Sequence, residues 1–351
     1  MRSATHQGSL TWKYGPGQVQ INNRTRRAGR AKLNAPQIGH SGSLIFKACL
    51  IAVLLAHPVL AGNISLPAEA IHALEKIYSD DPATAIPIAR GIQRSQPDHP
   101  LGYFLEAEAL WWKRYCAACE MKDGMVEAWK RSREPEDDAY LKVTDNEIST
   151  AEGRLSKSET AEMHIYAGIG YDLKARIYNL RGENRNVARV AVKGRAEMLR
   201  ALELDPQMAD ASAVLGIYNY YVDTLSPIVK LLRLSMGIPG GNKEEGVKQL
   251  QVGMNQGVLM AVDARFILAR ALRQYDRNYE RALSVAEPLG MRYPHNPIFL
   301  LLVGNLNAEL GRNADARNYF RRAQQSIVLD SPCATRIRDI AYSFLASLDR
   351  N

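Results

Sequence analysis

From residue 62 onward the sequence predicts an all-α fold in which consecutive helix pairs stack on one another. Three observations carry this expectation. Apolar residues recur every three or four positions, with little alternation and few β-branched runs. A small residue is followed twelve positions later by proline, as in Ala85–Pro97, Gly194–Pro206 and Ala282–Pro294. The small residue lets two helices approach closely, and the proline stops the second. Finally, 46% of the 351 residues are apolar but only four are cysteine, so burial rather than a disulfide framework must hold the fold.

The helices follow in order. Ile71, Leu74 and Ile77 form the first stripe, and Asp80-Asp81-Pro82 stops that helix and starts another over Ala83 to Ser95. Leu105, Leu110, Trp111, Trp112 and Tyr115 mark an aromatic helix that either stacks between neighbours or walls a ligand. Helices are expected over Glu159–Asn179 and Asn184–Leu204, and Leu215-Gly216 opens a further pair whose second member, Lys243 to Asn255, follows an insertion. Inside the insertion, Ser226-Pro227 is a hydroxyl N-cap followed by proline, and the residues to Met236 are mostly apolar. Such a helix needs covering by its own fold, by a membrane surface or by a partner. A last helix, Cys333–Leu348, gathers Ile337, Ile340, Ala341, Phe344 and Leu348 on one side and reads as a cap on an open end.

Between Pro297 and about Asp330, Leu300, Gly304, Gly311, Ala316, Phe320 and Ala323 fall at the offsets of the tetratricopeptide repeat, a unit of about 34 residues. Val328 stands where that repeat closes on proline. Val262 to His295 resembles it too, through Leu268, Ala269, Ala282, Ala286 and Pro294. The resemblance implies a right-handed superhelical solenoid of helix–turn–helix units, with a concave face lined by the first helix of each pair. It also implies a protein or peptide partner. On that face it puts Tyr220, Arg270, Arg273 and Asn305, where arginine and asparagine could grip backbone carbonyls or a terminal carboxylate. The glycine-flanked insertion is similar to that of the inclusion-body-clearance group of tetratricopeptide proteins, and Gly240-Gly241 to the periplasmic T-component of TRAP transporters.

Composition sets the remaining limits. Residues 1–68 hold eight basic side chains and no acid; subtracting these from 45 leaves 37 Lys and Arg against 37 Asp and Glu. The folded part is formally neutral, so the net charge of +8 does not argue for nucleic acid. Residues 1–43 read as a basic disordered leader and 44–61 as the apolar segment of an export signal. Its uninterrupted stretch, Ala48 to Ala56, spans roughly 14 Å, too short to cross a bilayer unaided. Cleavage is expected after Ala61, placing the protein in the periplasm or envelope; an uncleaved anchor and an organelle transit peptide are the alternatives. Beyond it lie divergent repeats over 62–206 and clearer ones over 207–351, interrupted by the apolar helix 226–236.

Cys116 and Cys119 form the one CxxC, readable as a structural disulfide, a thiol–disulfide centre or part of a metal site. Glu120 stands where haem attachment requires histidine. His72 and His164 are isolated, the run Glu134, Glu136, Asp137, Asp138 reads as a solvated face, and no nucleotide or hydrolase motif occurs. No enzyme activity, cofactor or metal is expected. The expected function is an exported interaction or assembly scaffold; alternatives are a periplasmic small-ligand or transporter-accessory protein and a thiol oxidoreductase.

Overall fold

The computed structural model describes residues 64–122, 124–128, 132–235, 237–326 and 332–350. The leader and the apolar segment 44–61 lie outside the described residues. The chain builds an all-α helical solenoid. α1 (Ala68–Tyr78) pairs with α2 (Pro82–Ser95), and α3 (Leu101–Ala118) with α2 and α4 (Pro135–Leu155). α5 (Ala161–Leu180) pairs with α6 (Asn184–Leu204). α7 (Ala209–Thr224) pairs with α9 (Lys243–Gln256), α8 (Pro227–Ser235) lying between them in sequence. α10 (Ala261–Gln274) with α11 (Tyr279–Arg292), and α12 (Pro297–Glu309) with α13 (Asn313–Gln325), complete the pairs before α14 (Pro332–Leu348).

Local chemistry fixes the helix starts. The side chains of Asp81, Thr160, Asn242, Asn278 and Asn296 each accept an N–H from the first turn that follows. Gly311 makes the α12–α13 turn with φ 72°, a left-handed backbone that favours glycine. The α7–α9 crossing is tighter still. A Cβ on Gly246 would lie 2.7 Å from the Tyr220 nitrogen, and one on Gly216 would lie 2.8 Å from that of Leu250. Backbone meets backbone there, and no room is left for α8 in the seam.

The first helices of the pairs form an inner row: α3, α5, α7, α10, α12 and α14 touch in succession, and α14 returns to α3. This closure is a finding that repeat spacing did not supply. α14 buries Ile337, Ile340, Ala341, Phe344 and Leu348, yet it joins the first turn of the stack to the last and does not cap an open end. With the row closed, the concave face becomes interior. Pro297 through Asn307 are consecutively buried in α12. Trp112 of α3 meets Phe266 of α10 and Phe299 of α12 with ring centroids 5.2 and 5.3 Å apart, and Tyr78 of α1 at 5.9 Å. One apolar cluster runs from Ile64 to Leu348 without a break at residue 206.

A short antiparallel hairpin, absent from the sequence expectation, follows α3. β1 (Cys119–Lys122) pairs with β2 (Met125–Ala128), with Cys119 opposite Ala128 and Lys122 opposite Met125. Gly124 turns it with φ 74°. β2 lies on α3 and α12, and β1 on α14. Among the described residues no helix is long and apolar enough to cross a membrane.

Candidate functional site

Three of the four residues expected to line a partner groove surround the hairpin. Arg273 Nη2 donates to the Gly124 carbonyl at 2.7 Å and to Glu309 at 2.7 Å, and its Nε donates to Asn305 Oδ1 at 2.5 Å. Asn305 Nδ2 donates to the same Gly124 carbonyl at 2.6 Å. Arg270 pairs with Glu127 at 3.1 Å and lies over the Tyr115 and Phe266 rings. Tyr220 is fully buried and donates its hydroxyl to the Ala271 carbonyl at 3.0 Å. The expectation of an open groove is therefore corrected. These side chains hold a backbone carbonyl and a carboxylate of their own chain, because the hairpin packs one side on the inner row and brings Gly124 and Glu127 to them.

The cysteines require a second correction. Cys116 is disulfide-bonded to Cys333, 217 residues away, and Cys119 is a buried free thiol. α14 delivers Cys333 to the end of α3, with a Cα–Cα distance of 5.2 Å, so the CxxC spacing does not decide the pairing. Burial pushes the Cys119 thiol up to about 12, which suppresses the thiolate needed for exchange at neutral pH. Asp80, just past the end of α1 and beside this junction, is pushed up to about 7 by burial and by neighbouring Asp81.

The interior also carries a buried polar cluster that sequence reasoning missed. Arg176 donates from Nε to Asp172 at 2.9 Å and from Nη1 to Glu108 at 3.2 Å and Asp263 at 3.3 Å. Trp112 Nε1 donates to Glu108 at 2.7 Å, and the Tyr78 hydroxyl to Asp263 at 3.0 Å. One guanidinium thus serves three carboxylates from three helices. Burial, then Asp263, raises Glu108 well above the usual carboxylate range despite Arg176. Burial raises Asp172 as well. Glu147 on α4 is fully buried with neither carboxylate oxygen hydrogen-bonded among the described residues, and burial, then Glu108, raises it strongly. The sequence signals for this cluster were modest: Asp172 and Arg176 at i, i+4, and Glu108 four before Trp112, each inside an apolar helix. Of the acidic run, Glu136 and Asp138 are exposed as expected, but Asp137 departs from the solvated reading. Asp137 is buried and pairs with Arg114 at 2.5 Å and Arg181 at 2.7 Å.

His164 sits between Glu197 at 2.6 Å and Glu159 at 3.1 Å, a structural environment. Trp112 and Tyr115 stack within the core. A cavity of about 320 Å³ lies instead beside His99 and Arg154, and exposed Asp98, Lys157, Ser158 and Thr160 line it. A deep enclosed pocket would have suited the small-ligand alternative better.

α8 is the outward-facing element. Ile228, Leu231 and Leu234 are 73%, 68% and 70% exposed, and Val229 is 42% exposed. Both its cations turn to the body of the protein: Lys230 bonds Asp223 at 3.0 Å, and Arg233 donates to the Ile238 carbonyl at 2.8 Å. Among the described residues nothing covers the apolar side of this helix.

No protein-family model matches the chain, and no curated protein matches it. Among solved structures, the C-terminal part of a TPR repeat-containing protein from Cytophaga hutchinsonii is similar to it. The match has 14% identity and a TM-score of 0.33, covering 80% of this chain and 96% of that one.

Proposed function

We propose that this protein is an interaction scaffold of the cell envelope that docks an apolar groove of a protein partner through α8. The observation that carries the reading is the exposed apolar side of α8, uncovered among the described residues, with Ile228, Leu231 and Leu234 at i, i+3 and i+6. Helices recognised in grooves present anchors at such spacings. Burying these three side chains would contribute on the order of 5 kcal/mol before association costs. Lys230 and Arg233 are already engaged by Asp223 and Ile238, so the helix offers little charge to an anionic lipid surface. That favours a protein groove over a membrane. The basic leader and the segment 44–61 support export, and a disulfide between distant cysteines suits an oxidising compartment.

The test places a photo-crosslinking residue at Leu231, with a control at Met291, which is 71% exposed on α11. A discrete protein adduct at Leu231 alone, lost when the neighbouring anchor is replaced in Ile228→Asp, is expected. Absence of that adduct, or binding to lipid vesicles abolished by Leu231→Asp, overturns the proposal. Export is tested by the mature amino terminus in the envelope fraction, expected at Gly62.

A further inference from the structure

The junction of α1, α3 and α14 brings together more than a disulfide. A carboxylate oxygen of Asp80 and the Sγ atoms of Cys116 and Cys333 all lie within 4.8 Å of one another. Asp80 is held there by a left-handed backbone, φ 64°, and by its N–H, which donates to the Ile77 carbonyl at 3.3 Å. Among the described residues its carboxylate has neither a cation nor a hydrogen-bond donor of its own, although it is only partly open to solvent. Three residues after Cys116, Cys119 is a buried free thiol at the start of β1, the strand that packs on α14. Two sulfurs from two helices and an oxygen from the α1–α2 turn therefore converge, with a third sulfur at the adjoining strand.

We propose that, once the Cys116–Cys333 bond is reduced, Asp80, Cys116, Cys333 and Cys119 hold one zinc ion. Zinc takes four donors in a tetrahedron with Zn–S near 2.3 Å and Zn–O near 2.1 Å, which sets donors roughly 3.5 Å apart. Asp80, Cys116 and Cys333 already span a comparable distance, small Cα–Cβ rotations separate the two reduced sulfurs, and Cys119, outside that group, turns in from the start of β1 as the fourth donor. A dithiol reductant supplies two electrons and two protons, breaking the Sγ–Sγ bond and becoming a disulfide itself. Zinc then displaces one proton from each of the three thiols as it binds. A small-molecule disulfide reverses the exchange, takes back the two electrons, restores the Cys116–Cys333 bond and releases the ion. Either linkage ties α3 to α14, so the inner row stays closed in both redox conditions. This site is independent of the docking role of α8.

The experiment uses the full chain, reduced with a dithiol and transferred to a phosphine reductant. Zinc is titrated in competition with a chromophoric chelator, and cobalt is substituted to read thiolate charge-transfer absorption. One zinc per reduced chain, none at this site in the oxidised chain, and a charge-transfer band are expected. Asp80→Asn and Cys119→Ser should each weaken zinc at least about tenfold, with helicity checked by circular dichroism. Asp80→Asn keeps every cysteine and so remains informative if a cysteine variant unfolds. No zinc uptake by the reduced chain, equal uptake by the oxidised chain, or unchanged affinity in either variant overturns the site.

Discussion

Replacing Arg176 by methionine tests the buried cluster most directly. The guanidinium reaches Asp172, Glu108 and Asp263, all buried or nearly so, with Glu108 fully inaccessible. Methionine keeps much of the apolar stem, so the change isolates the charge. Removing one member of a buried ion network typically costs about 3–5 kcal/mol, because the charges left behind have lost both water and partner. At about pH 7.5 Arg176→Met should lose that much in urea unfolding followed by circular dichroism. Burial raises Glu108 and Asp172, so near pH 5 these two can take up protons once abandoned, and the loss should shrink toward about 1–2 kcal/mol, the scale of an unsatisfied polar group. A loss below about 1 kcal/mol at both pH values would show that the network is solvated and would refute the reasoning. A loss that grows in acid would refute it as well.

The other expectations follow from separate contacts. Glu147 is raised above its unfolded value, so its contribution is present below about pH 4.5 and is lost as pH rises toward the folded value. Glu147→Gln should therefore raise the melting temperature above neutrality and flatten its decline with pH; an unchanged profile would contradict this. Gly246→Ala forces a methyl group 2.7 Å from the Tyr220 nitrogen and should cost about 1–3 kcal/mol. Gly153→Ala, in open space on α4, should gain about 0.5–1 kcal/mol, both read by thermal melts. Cys333→Ser opens a closure across 217 residues and should cost roughly 5 kcal/mol in the chain-entropy account, measured against the oxidised protein in urea.

The helix pairs were legible because their signals are local. Gly311, Ala316 and Phe320 place the last pair, and Ser226-Pro227 opens α8 at its observed start, Pro227. The hairpin was not legible: its strands have four residues each, and only Gly124 betrays the turn. Arg273 and Asn305 were read as facing a groove, yet their partner, Gly124, comes from about 150 to 180 residues earlier in the chain. Asp172 and Arg176 show an i, i+4 pair, but nothing in that spacing announces Glu108 or Asp263.

The amino-acid order by itself determined which segments coil and which side of each coil is apolar, since both depend on residues three or four apart. Tertiary structure decided where those coils meet. Small angles between successive pairs accumulate around the stack until α14 reaches α3, and that summation joins Cys116 to Cys333, packs one side of the hairpin on α3, α12 and α14 and leaves α8 without a seam to enter.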